Sequence, residues 1–277
     1  MESRIITHHT ASVILYNHYA LDYRISDTKE VIQMAGMQFP EMTVYARHRL
    51  SGGRALTAPC RLTLLGEADI PEVLRMYDSV VHGLDPDIFA RSQPEELERV
   101  LLGDGVMVGV LFGKRIICLR SLITDKANVE ETAQKWKLDK KDYNNSALTG
   151  FCVVDREFRG NNVQFLSYYY VENIAAKNFD SIITTVAPKN VFSLQNIFNN
   201  GFTIIAINKI YSNSLRFIMK KYFNPGSMLW TRHHLQIALS DTKAQQEALN
   251  AGLTGYKLIR SGRGFRLLFG KIETTKV

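Results

Sequence analysis

The chain has 277 residues, of which 45% are hydrophobic and 22% charged, the composition of a globular protein with one or two cores and not of a disordered or fibrous one. Its formal net charge of +7 is spread along the whole length, with no basic cluster denser than pairs such as Lys140-Lys141 and Lys220-Lys221, so nucleic acid is not the expected primary partner; an ordinary basic surface is the commoner reading of the basicity and a site for polyanions, such as cofactor phosphates, the sharper one. No long apolar run follows Met1-Glu2-Ser3-Arg4, no stretch is long enough to span a bilayer, and Cys60, Cys118 and Cys152 are scattered, so the expectation is a cytoplasmic protein with reduced thiols and no membrane partner.

Residues 1–60 read as an α+β extension. Short strands are expected at 5–6 and 13–16, a helix over 27–37 capped by Ser26 or Asp27, and a strand at 43–47 stopped by Ser51-Gly52-Gly53. From 61 to 223 the pattern becomes regular. A strand at 61–65 leads to a helix with Val73, Leu74, Met76, Tyr77 and Val80 on one side, Asp69 as its cap and Pro71 in its first turn. A second helix starts at Ser92-Gln93-Pro94 and ends at Gly103-Asp104-Gly105. Strands at 106–112 and 115–123 turn at Gly113-Lys114, and the polar stretch 125–145 follows as helix or loop. Then come a strand at 148–154, a helix at 162–178, a strand at 181–186, a helix at 192–199, and strands at 202–208 and 214–219. Residues 224–277 form a second extension: a strand near 229–239, a helix at 242–250, and a hairpin of 255–259 with 264–269.

The strand 148–154 runs into Asp155-Arg156-Glu157-Phe158-Arg159-Gly160-Asn161-Asn162-Val163-Gln164 and then into a helix. Strand, tight polar turn and helix start together make an anion site, because the first helical N–H groups lack intrahelical partners and the dipole favours negative charge there. The competing reading is a polar turn that caps an ordinary helix. This segment resembles the acyl-CoA pyrophosphate loop of the GNAT superfamily of N-acetyltransferases, with Arg159 at the first place of the signature, Asn162 where the family has its first Gly, and Gln164 where it has Gly or Ala. Asn tolerates positive φ; Gln164 would crowd a ligand. Further on, Asn190, Ser193 and Gly201-Phe202 have the spacing of the family's Asn, small residue and Gly-Phe, in which the Asn helps hold pantetheine.

The resemblance covers about residues 61–223. It implies an α/β fold, a GNAT-like mixed central sheet with flanking helices, carrying the two extensions at residues 1–60 and 224–277. It also implies a sheet splayed beside 148–154, where backbone groups of Cys152 and Val154 pair with the ligand. The cofactor-binding set is then Cys152, Val154, Arg159, Gly160, Asn161, Asn162, Val163, Gln164, Asn190 and Ser193, and the co-substrate is acetyl-CoA or another acyl-CoA, with no metal. The family's frequent glutamate base falls on Leu148 and its tyrosine acid on Ile197, so neither carries over.

In place of those groups, His82, Asp85 and Asp87 between the first two helices can receive a cationic amine and take its proton. A solvated His and capping Asp residues are the alternative. Tyr211 is a substitute proton donor, or else a surface turn residue. The adjacent pairs His8-His9 and His233-His234 point to opposite sides of a strand and share no metal. Expected, therefore, is an acyl-CoA-dependent N-acyltransferase whose acceptor is a small-molecule amine or a protein- or RNA-borne one, a homodimer being compatible with the sequence. The alternatives are a non-catalytic acyl-CoA-binding or scaffold module and an acetyltransferase of aminoacyl-tRNA.

Overall fold

The computed structural model describes residues 31–34, 37–40, 42–49, 55–223, 227–230, 235–262 and 264–275. The strands expected at 5–6 and 13–16, and both His pairs, lie outside them. In chain order the elements begin with β1 (Val31–Met34), β2 (Met37–Pro40), β3 (Met42–Arg49), β4 (Ala55–Leu65), α1 (Ile70–Val81) and α2 (Pro94–Arg99). Next come β5 (Gly105–Phe112), β6 (Arg115–Ile123), α3 (Lys126–Lys135), α4 (Lys140–Tyr143), β7 (Ser146–Val154), α5 (Val163–Ala175), β8 (Ser181–Val186) and α6 (Val191–Asn199). The chain continues through β9 (Thr203–Ile210), β10 (Ser214–Tyr222), β11 (Ser227–Trp230), β12 (Leu235–Ala238), α7 (Thr242–Asn250), β13 (Thr254–Ser261), β14 (Gly264–Gly270) and β15 (Ile272–Thr275).

One sheet of 11 strands, in the order β12-β14-β13-β9-β10-β8-β7-β6-β5-β4-β3, runs through the described residues. Every pairing in it is antiparallel except β7 with β8. The sheet is therefore mixed, and α5 is the crossover that a parallel pair requires. Sequence position 60 lies inside β4, whose residues 55–62 pair with β3 and whose residues 61–65 pair with β5.

Two expectations fail on strand pairing. The helix expected over 27–37 is replaced, from residue 31 on, by the antiparallel pair β1–β2 with Val31 opposite Pro40. Within β1, Gln33 and Met34 favour helix but Val31 and Ile32 favour strand, and a paired partner overrides what weak helix propensity remains. The single strand expected near 229–239 is two strands in different sheets, β11 beside β15 and β12 beside β14.

The helices lie on both faces. On one, α1 and α2 bury Val73, Met76, Tyr77, Val80 and Leu97 against Met107, Leu119, Phe151 and Val153. Beside them α3 and the turn after it bury Val129 and Trp136 against Leu148, Ile183 and Ile218. On the opposite face α5 and α6 bury Leu166, Tyr168, Val171, Leu194 and Phe198 against Ile117, Cys118, Ile182 and Phe217, and α7 adds Ala248. Among the described residues no helix is long and apolar enough to cross a membrane.

Candidate functional site

β7 and β8 pair in parallel only at Ser146, Ala147 and Leu148. Beyond Leu148 and Ile183 the two strands part, so the C-terminal half of β7 turns an unpaired backbone edge toward β8. The cause is visible on the other side of β7. Its register with β6 slips between Arg120 opposite Cys152 and Leu122 opposite Thr149, so Gly150 and Phe151 together face Ser121 alone. Such a bulge bends and twists the strand that carries it. Ser121 fixes it: its hydroxyl oxygen accepts from Phe151 N–H at 3.1 Å, and its carbonyl accepts from Thr149 Oγ1 at 3.1 Å. Phe151 packs edge-on against Tyr77 at 4.7 Å. The bulge also shifts the alternation, so that Leu148 and Phe151 share the α1–α3 face while Cys152 and Val154 turn to α5.

At the end of β7, Asp155 caps a short helical turn, Arg156–Phe158, by accepting from Glu157 N–H. Phe158 is buried, and Arg115 bonds both Asp155 and Glu157. Gly160 has φ 79° and Asn162 has φ 56°, the left-handed conformation expected of the Asn that stands for Gly. No side chain caps α5 at Asn162, so its first-turn amides remain available to an anion. Arg159 is exposed and donates from Nε to Val154 O at 3.2 Å, and Asn161 donates to Phe158 O at 2.9 Å. Val163 is buried. Gln164 reaches across to α6, where its Oε1 accepts from Asn196 Nδ2 at 2.9 Å.

Beneath α5 lies Arg120, 2% exposed, which donates to Ser167 Oγ at 3.0 Å and to Gln164 O at 2.8 Å and stands over the Tyr168 ring. Among the described residues no carboxylate forms a salt bridge with it. Cys152, opposite it in register, lies 3.8 Å from Cys118 Sγ and 3.8 Å from Ser167 Oγ. Hydrogen bonding from the Cys118 thiol lowers the Cys152 pKa to about 6, with Arg120 and Ser167 helping against burial. The same bond and burial push Cys118 up. Cys152 is thus a thiol set between the Cys118 thiol and the Ser167 hydroxyl, opposite Arg120 in register.

On the α6 side, Asn190 caps the helix by accepting from Ser193 N–H at 3.1 Å, and Gly201 ends it with φ 84°. Leu148 and Ile197, at the places of the family's base and acid, are both buried apolar side chains.

The loop after α1 is tethered across the sheet end. Arg216, 2% exposed, donates to Pro86 O at 2.8 Å and to Asp87 O at 2.9 Å. Asp87 pairs with Lys189 at 2.7 Å, and that hydrogen bond holds its carboxyl below the usual range. Asp87 is therefore held ionised, with Lys189 as its cation partner. Asp85 Oδ1 accepts from Asp87 N–H at 2.9 Å, a turn-closing role. His82 closes α1, is exposed, and its imidazole bonds no described residue. Tyr211 sits in the β9–β10 turn with φ 48°, and its hydroxyl lies 3.4 Å from Thr185 Oγ1 on the part of β8 that has left β7. Although 41% of Tyr211 is exposed, desolvation raises its pKa, which keeps the hydroxyl a donor. The structure thus gathers Tyr211, Thr185, Asp87, Lys189 and Arg216 and shows no bond from this group to His82. Sequence reasoning missed Gly150, Ser121, Arg120 and Asn196; a Gly within an apolar strand was the available sign of a bulge.

No family model matches the sequence, and no curated protein does. Among solved structures the chain is similar to a GNAT-family acetyltransferase from Streptococcus pneumoniae, at 14% identity over 59% of this chain and 98% of that one, with a TM-score of 0.46. It is similar to the ribosomal-protein-S18-alanine N-acetyltransferase from Escherichia coli, at 9% identity over 59% and 93%, TM-score 0.46. It is also similar to the PaiA N-acetyltransferase from Thermoplasma acidophilum in complex with coenzyme A, at 14% identity over 59% and 99%, TM-score 0.41.

Proposed function

We propose that this protein is an acyl-CoA-dependent N-acyltransferase of the GNAT type, transferring an acyl group, acetyl in the simplest case, to a primary amine. The observation that carries the reading is the splay: a parallel pair that parts at Leu148 and Ile183, with a bulged strand offering its free edge and an uncapped α5 at the far end. The free edge suits an extended arm with amide groups, and the α5 amides with Arg159 suit a pyrophosphate. A thioester supplies the activated acyl carbon. The chain's residues hold that arm, line up the amine, and exclude water; positioning is the main contribution available where Leu148 and Ile197 replace base and acid. Tyr211, a phenol protonated at neutral pH, is the O–H donor on the β8 side of the gap.

The test is calorimetric titration of acetyl-CoA into wild type and Arg159→Glu. Binding by wild type that weakens at least about tenfold on charge reversal is expected, the loss of one charge-assisted contact plus repulsion. Equal affinity would remove Arg159 from the site, and no binding by wild type would remove the function. Burial of apolar side chains at both catalytic places favours one second reading, an acyl-CoA-binding module without turnover. Binding with no transfer to any amine across neutral to alkaline pH would select it.

A further inference from the structure

The Gln164–Asn196 hydrogen bond belongs to neither helix's own stability. α5 follows β7 and α6 follows β8, so a bond between their side chains spans the gap that opens where the two strands part. Gln164 is in the first turn of α5, directly after left-handed Asn162, and Asn196 is in the second turn of α6. The bond therefore bars the route from the α5 N-terminus along the free edge of β7.

The backbones beneath the two side chains are pinned independently. Gln164 O accepts from Arg120 Nη2 at 2.8 Å and from Ser167 Oγ at 2.9 Å. Asn196 O accepts from Asn200 N at 3.1 Å and from Asn200 Nδ2 at 2.8 Å. Neither helix has to move for the bar to open. Both side chains are half-buried, so rotating them outward exchanges one amide–amide bond for bonds to water.

We propose that Gln164 and Asn196 form a side-chain latch across the cleft, closed in the free protein, which acyl-CoA must open to bind. This rests on the acyl-CoA reading above and specifies how that site is gated. A net bond of ordinary strength holds the closed form over the open one by about fivefold, and apparent affinity falls by the same factor.

The experiment uses the full chain, wild type and Asn196→Leu, which keeps the side-chain volume and removes the bond, with acetyl-CoA as the probe. Equilibrium titration gives affinity and stopped-flow tryptophan fluorescence gives association rates. Urea unfolding checks that the variant is folded, and Gln164→Met serves as the second opening variant if Asn196→Leu is not. The expected result is a variant that associates up to about fivefold faster than wild type at every acetyl-CoA concentration and binds up to about fivefold tighter, because rotation of the two side chains is fast and the closed bond lowers only the binding-competent fraction. Wild-type binding with the same rates and affinity in both proteins would overturn the latch and leave the acyl-CoA reading standing. Weaker binding by the folded variant, with unchanged association, would show that the amides only hold the ligand and do not gate it. Absence of binding in every protein would overturn both.

Discussion

Gly150→Ala tests the bulge on which the cleft depends. A Cβ on Gly150 would stand 2.5 Å from Ser121 Oγ and 3.8 Å from Ser121 Cβ. The first distance is a clash and the second an ordinary contact, so the hydroxyl must rotate. That hydroxyl oxygen is the acceptor for Phe151 N–H at 3.1 Å, and Ser121 is buried. Gly150→Ala therefore strands a buried donor and should cost about 1–3 kcal/mol. Ser121→Ala removes the same acceptor and should cost a similar amount. In the double variant the new methyl meets only the Cβ that remains at position 121, with no hydroxyl in its way. The second substitution is then close to neutral, or stabilising by about 0.4–1 kcal/mol through the unfolded chain, because Gly150 is not in the left-handed region. Urea unfolding of the four proteins gives the cycle. The expected interaction is about 1–3 kcal/mol, with the double variant no less stable than Ser121→Ala. Additive costs would refute the claim that Ser121 and Gly150 build the bulge together.

Two further outcomes follow from the same surroundings. The folded pKa of Cys152 lies below that of an unfolded thiol, about 8.5. Its contribution to stability is therefore full above the unfolded value and is lost as pH falls through about 6. Cys118, raised, acts in the opposite sense at alkaline pH, so the useful window lies between the two values. Arg120→Met should raise the pH midpoint of Cys152 alkylation and flatten stability across that window, and an unchanged midpoint would dismiss the guanidinium as a cause. Tyr211→Phe should leave acetyl-CoA affinity intact and lower kcat on amines by about 100-fold or more if its O–H serves transfer; unchanged kcat would return Tyr211 to the role of a turn residue.

Much of the fold was legible because its elements carry their own punctuation. β8 matches its expected span of 181–186, as a continuous apolar and β-branched run ended by Ala187-Pro188. α6 is bracketed by Asn190 and Gly201, a cap and a stop. What escaped is set by partners distant in sequence. Residues 31–34 mix β-branched Val31 and Ile32 with Gln33 and Met34, and become strand through pairing with residues 37–40. β12 lies beside β14, whose residues are some thirty positions away, while β11 lies beside β15. Periodicity records which side of an element is apolar and is silent on which neighbour covers it.

The site divides along the same line. The loop could be read, because Gly160 and Asn162 each need a backbone conformation that few residues adopt, and both have it. The splay could be expected only through the resemblance, since its cause is one extra residue in β7. A strict alternation from Leu148 puts Cys152 on the face of α1 and α2; the bulge at Gly150-Phe151 turns it toward α5, beside Cys118 and Arg120. Moving one residue out of register thus does two things at once. It leaves the edge of β7 beyond Leu148 without a β8 partner, and it brings a thiol next to a buried guanidinium that has no carboxylate salt bridge among the described residues. Gly150 is the residue that permits both, because Ser121 Oγ occupies the space where any side chain would begin.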